Sequence, residues 1–560
     1  MPLQSPGGYS WSNVTGAVGP APSGRISSLA WDDSDGYVLL FGWDTLAGYQ
    51  TDTWTYLNGV WTNISASVTG TPPSPQAYPV MASDPSTQKL VMFSPVHNTT
   101  WTYHAKVWTN VTATAGPHPP PALYASLVAD STDGELVYFG GMPAYGNTQY
   151  AHTTWTYKNG QWANVTVLAP FAFGRIVIPQ GADDPMDHGV IAVGISAWHN
   201  VTPFRYFPAT FLYSGGHWTN LTSSLTQEPR MPYLGVFAYI PQLSAAVLTQ
   251  SYGVNTSGNL STLATTWEYS HSQWTNVTAL TNGQPDTGLI AGGAVDPLDG
   301  TFVLFGGDRQ VNPVVYPATW LFSAAPNLTA TASRSLVDAG QSVTFGGTVA
   351  GGASPLTFHW AYGDGGSSTG LSSTHSYSQA GLVTATLSAT DLVGHVSTAS
   401  VSLYVNPTLA VTVNATPSSP SSGAWVALTS HVVGGSAPFT FAWSLGDNSS
   451  STAASLGHVY GSSGTYKVHL VVTDAAGASV SANLSVVVQA AAQSFSLTSG
   501  TGLALIGVIV VLLLVAVALA VLLMRKPRGP GPMPSFPSNP PAAPFPPSQP
   551  TPMAPPPPPS

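Results

Sequence analysis

At 560 residues the chain is too long for one hydrophobic core, so several domains are expected. It has no Cys, which excludes disulfides, thiolate metal sites and Cys nucleophiles. Only 6% of its residues are charged, with a formal net charge of -10, which does not suit nucleic acid; that partner requires clustered Lys and Arg.

Gly, Pro, Ser, Thr and aromatic residues are abundant, so the predicted fold class is all-β. Residues 1–325 carry an internal repeat with a period of about 50 residues. A clear copy is Thr154-Trp155-Thr156-Tyr157-Lys158-Asn159-Gly160-Gln161-Trp162-Ala163-Asn164-Val165-Thr166. It reads as two short strands joined by Asn-Gly, a pair that tolerates the positive φ of a two-residue hairpin turn. The second strand recurs six times, opened by Trp11, Trp61, Trp108, Trp162, Trp218 and Trp274. The first recurs six times, opened by Thr53, Thr100, Thr154, Thr210, Thr266 and Thr319. Ahead of each hairpin lie an acidic turn and an apolar strand, as in residues 130–141 and 296–307, with looser copies at 33–42 and 84–94. A further strand precedes each turn, as in residues 124–128. Each unit thus reads as four antiparallel strands, one blade of a propeller. The array starts on a lone fourth strand and stops after a third. The N-terminal strand is therefore predicted to complete the last blade and hide two sheet edges.

An apolar strand ending in Gly-Gly, with a Trp about 13 residues on, resembles the Kelch repeat over residues 9–323. That resemblance implies a six-bladed Kelch-like β-propeller. It departs at Gly42-Trp43 and Ser94-Pro95, which stand in place of the Gly pair, and after Val247, where the pair is absent.

Two related segments follow, 326–407 and 408–490. The first contains Phe358-His359-Trp360-Ala361-Tyr362-Gly363-Asp364-Gly365, then His375-Ser376-Tyr377, then Thr390-Asp391. The second contains Phe441-Ala442-Trp443-Ser444-Leu445-Gly446-Asp447-Asn448, then His458-Val459-Tyr460, then Thr473-Asp474. Both resemble PKD domains, which implies Ig-like β-sandwiches that act as spacers or interaction modules. Leu382-Val383 and Asn448 depart from the usual residues.

After a linker, 491–502, residues 503–524 are 22 uncharged, mostly apolar residues. As a helix they reach roughly 33 Å, enough to cross a bilayer. Arg525, Lys526 and Arg528 follow, which favours a cytoplasmic end; residues 525–560 are a Pro-rich tail without the means to build a core. The expected location is the cell membrane, single-pass, with the N-terminal domains extracellular. Residues 1–9 show no signal peptide, so the expectation is that the true start lies upstream or that the sequence is a fragment.

Fourteen Asn-x-Ser/Thr sequons are candidate glycosylation sites: Asn13, Asn63, Asn98, Asn110, Asn164, Asn200, Asn220, Asn255, Asn259, Asn276, Asn327, Asn414, Asn448 and Asn483. Six of them belong to the repeated strand, where Asn and Thr can simply share a strand face. Gly366-Ser367-Ser368-Thr369-Gly370 matches a nucleophile pattern but sits in a sandwich loop without a strand-to-helix elbow. The acidic turns read as hairpin turns rather than Ca²⁺ loops, and the 14 His are scattered, so no metal or other cofactor is expected. Glu135, Glu228 and Glu268 are the three Glu and lie in or near turns and strands, so no clear acid/base pair emerges and no enzyme is expected.

The expected function is a membrane-anchored surface protein that presents its head to an extracellular glycan or protein ligand. The alternatives are a glycan-acting ectoenzyme and a structural envelope protein. The candidate binding residues are Tyr49, Tyr145, Tyr150, Trp198, Tyr206, Tyr252 and Tyr316, aromatics on the variable loops between second and third strands.

Overall fold

A computed structural model describes residues 8–22, 28–42, 44–45, 48–74, 78–143, 153–166, 176–198, 205–230, 235–254, 260–285, 291–306, 318–492 and 500–523. Among the described residues the structure is all-β apart from short 3₁₀ turns and one helix. It divides into two compact units: residues 1–414, 429–455 and 469–484, and residues 415–428, 456–468 and 485–560.

The first unit opens with six four-stranded antiparallel sheets. The first sheet is Ser28–Asp32, Tyr37–Phe41, Thr53–Leu57 and Val60–Asn63. The second runs from Val80–Asp84 to Val107–Asn110, the third from Ser126–Asp130 to Gln161–Asn164. The fourth runs from Ile176–Asp184 to His217–Asn220, the fifth from Val236–Ile240 to Gln273–Asn276. The sixth takes Ala291–Asp296, Thr301–Gly306 and Thr319–Ser323, and its fourth strand is Ser10–Asn13 from the start of the chain. Ser10 pairs with Ser323 and Asn13 with Trp320, the pairing that the phase of the repeats predicts.

Period-2 alternation builds the core between sheets. Val38 and Leu40 pack toward the sixth sheet, with Val303, Phe305 and Leu321. Their neighbours Leu39 and Phe41 pack toward the second sheet, with Leu90, Met92 and Tyr103. Four further clusters fill the other sheet-to-sheet layers. The first strands of neighbouring sheets lie side by side, and that of the sixth lies beside that of the first.

The repeated Trp and Thr are explained by one hydrogen bond. The indole Nε1 of each fourth-strand Trp donates to the repeated Thr of the third strand of the preceding sheet. Trp108 donates to Thr53, Trp162 to Thr100, Trp218 to Thr154 and Trp274 to Thr210. Trp11 donates to Thr266 at 2.9 Å, and Trp61 to Thr319 at 2.9 Å, which returns the series to its start. The hairpin turn needs left-handed backbone at both central residues, and Asn58, Gly59, Asn159 and Gly160 have positive φ.

Pro326 begins the sandwich part. In the first sandwich, Asn327–Ala332, Ser342–Ala350 and Ser373–Ser376 form one sheet. Five strands form the other, with Leu336–Asp338 parallel to the end of Val396–Asn406. Trp360, Phe345, Tyr362 and Leu387 fill the space between. Asp364 Oδ1 accepts from its own turn at Gly366 N, and Oδ2 lies 2.8 Å from His375 Nε2. The His375 ring stacks on Tyr362, which accounts for the motif in packing terms. In the second sandwich Thr440–Ser444 pairs with the end of Gly464–Thr473, and Trp443 is buried.

In the second unit Val426, Leu428, Tyr460, Val468 and Val486 are buried. Its helix is Gly500–Leu523, which starts three residues before the predicted span, while Met524 lies outside the described residues. It is long and apolar enough to cross a membrane.

Candidate functional site

The aromatic candidates of the second-to-third connections fare unevenly. Tyr145, Tyr150 and Tyr316 lie outside the described residues. Tyr49, Trp198, Tyr206 and Tyr252 were expected on loops, but their backbones belong to strands. Tyr49 pairs with Asp44, Trp198 with Arg205, Tyr206 with Ala197 and Tyr252 with Thr262. In the fourth and fifth sheets the connection is a long hairpin, Gly189–Trp198 with Arg205–Ser214 and Ala245–Val254 with Leu260–Ser270. Continued ladder pairing replaces irregular backbone there, which sequence variation alone did not reveal.

The six repeat sequons have a structural job. Asn13, Asn63, Asn110, Asn164, Asn220 and Asn276 each accept, through Oδ1, the backbone N–H two residues on. The Thr or Ser of the sequon then accepts the N–H of the repeated Thr of the third strand, as Thr112 does from Thr100 at 3.0 Å. The side chains therefore cap the fourth strand, more than the shared face that the sequence suggested. Asn98 and Asn448 sit at positive φ in turns. Asn327 and Asn414 are exposed on strands, and Asn483 Oδ1 lies 2.7 Å from His469 Nδ1. Asn200, Asn255 and Asn259 lie outside the described residues.

The acidic turns cap themselves too. Asp32 Oδ1 accepts Ser34 N, Asp130 Oδ1 accepts Thr132 N and Asp133 N, and Asp296 Oδ1 accepts Leu298 N. Among the described residues no cluster of three His, Asp or Glu could hold a metal. Ser368 is in a strand, hydrogen-bonded with Tyr362 Oη. Glu135, Glu228 and Glu268 are all separate in the fold: Glu135 accepts from Tyr213 in the fourth sheet, and Glu268 is buried in the fifth. Burial pushes the Glu228 carboxyl up to about 7.

Two junctions that sequence reading missed organise the first unit. At the first, Ala353 and Leu392 of the first sandwich enter the cluster around Val14, Trp61 and Leu321. A side chain at Gly59 would collide with Leu392, and Ser354 N donates to Asp299 Oδ2 at 3.1 Å. Ser10 Oγ lies 2.7 Å from His395 Nε2, and His395 Nδ1 lies 2.9 Å from Asp391 Oδ2. Asp391 also accepts the N–H groups of Ala353, Val393 and His395. The order of groups is that of a nucleophilic relay. Ser10, however, is 6% exposed inside a strand that the sandwich covers, so the trio is a joint between domains. The contacts at Gly59 and Asp299 fall on turns between third and fourth and between first and second strands. In an antiparallel sheet those turns share one edge, opposite the long hairpins.

The second junction repeats the device. Asp474 Oδ2 accepts Ser436 N, as Asp391 Oδ2 accepts Ala353 N. Ser436 Oγ donates to Asp338 Oδ1 at 2.9 Å, and Asn406 Nδ2 donates to Ser436 Oγ at 2.7 Å. Arg334 and Gln341 donate to Ala476 O. Burial raises the Asp338 carboxyl above the usual range, reinforced by the adjoining Asp474 carboxyl. Burial opposes the Asp474 charge, but donors from Asp338, Ser436 and Ala478 outweigh it and hold Asp474 low. The two carboxyls are thus set apart, Asp338 pushed up and Asp474 held low. A carboxyl raised in the fold contributes stability that is present in acid and fades as pH rises through the raised value. Asp338→Asn keeps a donor toward Asp474, and stability at pH 7 should stay within about 1 kcal/mol. Asp474→Asn loses charge-assisted bonds and should cost about 2–4 kcal/mol. Equal losses in urea melts of the two variants would refute this assignment.

No curated protein matches the chain. Among solved structures it resembles fibronectin(III)-like modules of Clostridium thermocellum CbhA, at 14% identity over 30% of this chain and 97% of that one, with TM-score 0.18. It resembles three N-terminal domains of the bacteriophage RB49 outer capsid protein Hoc, at 19% identity over 29% of this chain and 59% of that one, with TM-score 0.20. The mouse nectin-like molecule 4 ectodomain is similar at 15% identity over 35% and 76%, with TM-score 0.20. Residues 323–407 and 405–488 each match the PKD domain family, so this chain contains two tandem PKD domains.

Proposed function

We propose that the six sheets are the blades of a Kelch-like propeller, and that this propeller is the binding head of a surface protein held on two PKD domains and one membrane helix. The observation that carries the reading is the seat of the first PKD domain. It rests on the edge of short turns, at Gly59 and Asp299, and so leaves the edge of long hairpins to a ligand. The Trp-to-Thr bonds that pass through all six sheets and return to the first favour a closed propeller. Arg525, Lys526 and Arg528 favour a cytoplasmic tail and a head outside. The head is read as a binder of a glycan or protein; the Ser10–His395–Asp391 trio serves there as a joint, not as a nucleophilic relay.

The test applies the whole chain, in nanodiscs, to a glycan array and to cells, with Tyr145, Trp198 and Tyr252 changed together to Ala as the comparison. Retention by the unaltered chain that falls at least about tenfold in the variant, with unchanged melting, is the expected result. Turnover of a retained glycan would favour an ectoenzyme. Absence of any retention would favour a structural envelope protein.

A further inference from the structure

In the first PKD domain one corner receives the next domain. Asp338, Gln341 and Asn406 there bond Ser436 and Ala476. The equivalent corner of the second PKD domain can be found bond for bond. Gly340 N donates to Tyr377 O, and Gly423 N to Tyr460 O. Ala339 N donates to Asn406 O, and Ser422 N to Gln489 O. Gln341 N donates to Asp338 O, and Ala424 N to Ser421 O. Buried Val343 and Phe345 correspond to buried Val426 and Leu428.

The two corners differ in chemistry. Ser421 stands where the first domain has Asp338, Ala424 where it has Gln341, and Gln489 where it has Asn406. Trp425 replaces Ser342, while Gly457 and Val459 replace Thr374 and Ser376. The charge and one of the two amides are gone, and apolar surface has appeared. Trp425 is 61% exposed and Val459 47% exposed. A side chain at Gly457 would collide with the indole Nε1 of Trp425, so this glycine makes the seat on which the ring lies.

The chain leaves the domain at this corner. Ser421, four positions before Trp425, is paired with Gln489. The apolar helix begins at Gly500, so residues 490–499 are the whole connection. Such a length reaches at most about 35 Å when extended and spans about 17 Å as a random coil. The corner is therefore tethered close to whatever the helix enters.

We propose that this corner rests on the lipid headgroup layer, with Trp425 and Val459 in the interface, so that the second PKD domain is held against the bilayer. The inference depends on the reading of Gly500–Leu523 as a membrane span. An indole combines a large apolar body with one N–H donor, which matches the headgroup region. Ser421, Ser422, Ala424, Trp425, Val459 and Gln489 carry no charge, so the contact requires neutral lipid only and resists salt.

The absence of Cys allows clean single-site labelling of the full chain. Nitroxides would be placed separately through Ser421→Cys, Leu512→Cys and Ser402→Cys, in phosphatidylcholine nanodiscs. Collision with oxygen and with a water-soluble nickel chelate reports depth. Leu512→Cys should read as lipid and Ser402→Cys as water. Ser421→Cys should read as interface, with nickel accessibility at least about twofold below that of Ser402→Cys. Adding Trp425→Ala should return the Ser421 label to the aqueous value. A Ser421 label as aqueous as the Ser402 label, with Leu512 in lipid, overturns the proposal and leaves the anchor standing. A Ser421 label that stays interfacial after Trp425→Ala overturns the role of Trp425. An aqueous Leu512 label overturns the anchor and the proposal together.

Discussion

Deletion of residues 9–15 is expected to abolish cooperative folding of the six-sheet part. The segment supplies the fourth strand of the sixth sheet, paired from Ser10 to Asn13 against Trp320 to Ser323. Tyr9, Trp11 and Val14 are buried, and Trp11 packs on Phe302 and Phe322. Their burial is worth roughly 6–8 kcal/mol in total. That is comparable with the whole stability of a typical domain, about 5–15 kcal/mol. The deletion also frees two sheet edges and removes the Ser10 contact to His395. Circular dichroism and thermal melts of the deleted chain should show loss of the main transition. An unchanged melting temperature would mean that the first strand is dispensable and that the sheets do not depend on closure.

Substitution of Trp162 by Ala should cost about 3–5 kcal/mol. Its side chain fills the layer between the second and third sheets, against Phe93, Tyr138 and Tyr157. Its Nε1 donates to Thr100 Oγ1 at 2.8 Å. Trp162→Phe separates the two contributions, because the ring stays while the donor goes. The loss should then be smaller, about 1–2 kcal/mol, from the broken bond and a small cavity. Urea denaturation of both variants checks the split. A Phe variant as unstable as the Ala variant would assign the effect to the hydrogen bond alone. Thr100→Val should repeat the bond loss without the cavity.

The repeat was readable because its strands are local. A Trp, an Asn and a Thr at fixed offsets, with Asn159-Gly160 between strands, follow from alternation and turn chemistry within a dozen residues. The role of the opening Thr was less accessible. All six copies retain it, yet its acceptor duty is visible only when the Trp of the next sheet arrives, as Trp274 does at Thr210 from 64 residues away. The candidate aromatics Trp198, Tyr206 and Tyr252 looked like loop residues because variable length was taken for irregular backbone. Strand pairing, not length, decides that, and residues 189–198 pair with 205–214 as 245–254 do with 260–270.

By itself the sequence determined the strand repeat, the phase that sends Ser10–Asn13 to the sixth sheet, the two PKD motifs and the apolar helix. Each rests on periodicity, spacing or length, quantities that a linear chain carries directly. Only the tertiary structure decided where the PKD domains dock and which carboxyls meet. Asp338 and Asp474 stand 136 positions apart, and Ser10 and His395 stand 385 positions apart. No local pattern couples such residues; the packing of one domain end on another brings them together, and burial and the donors around them then move the two carboxyls in opposite directions.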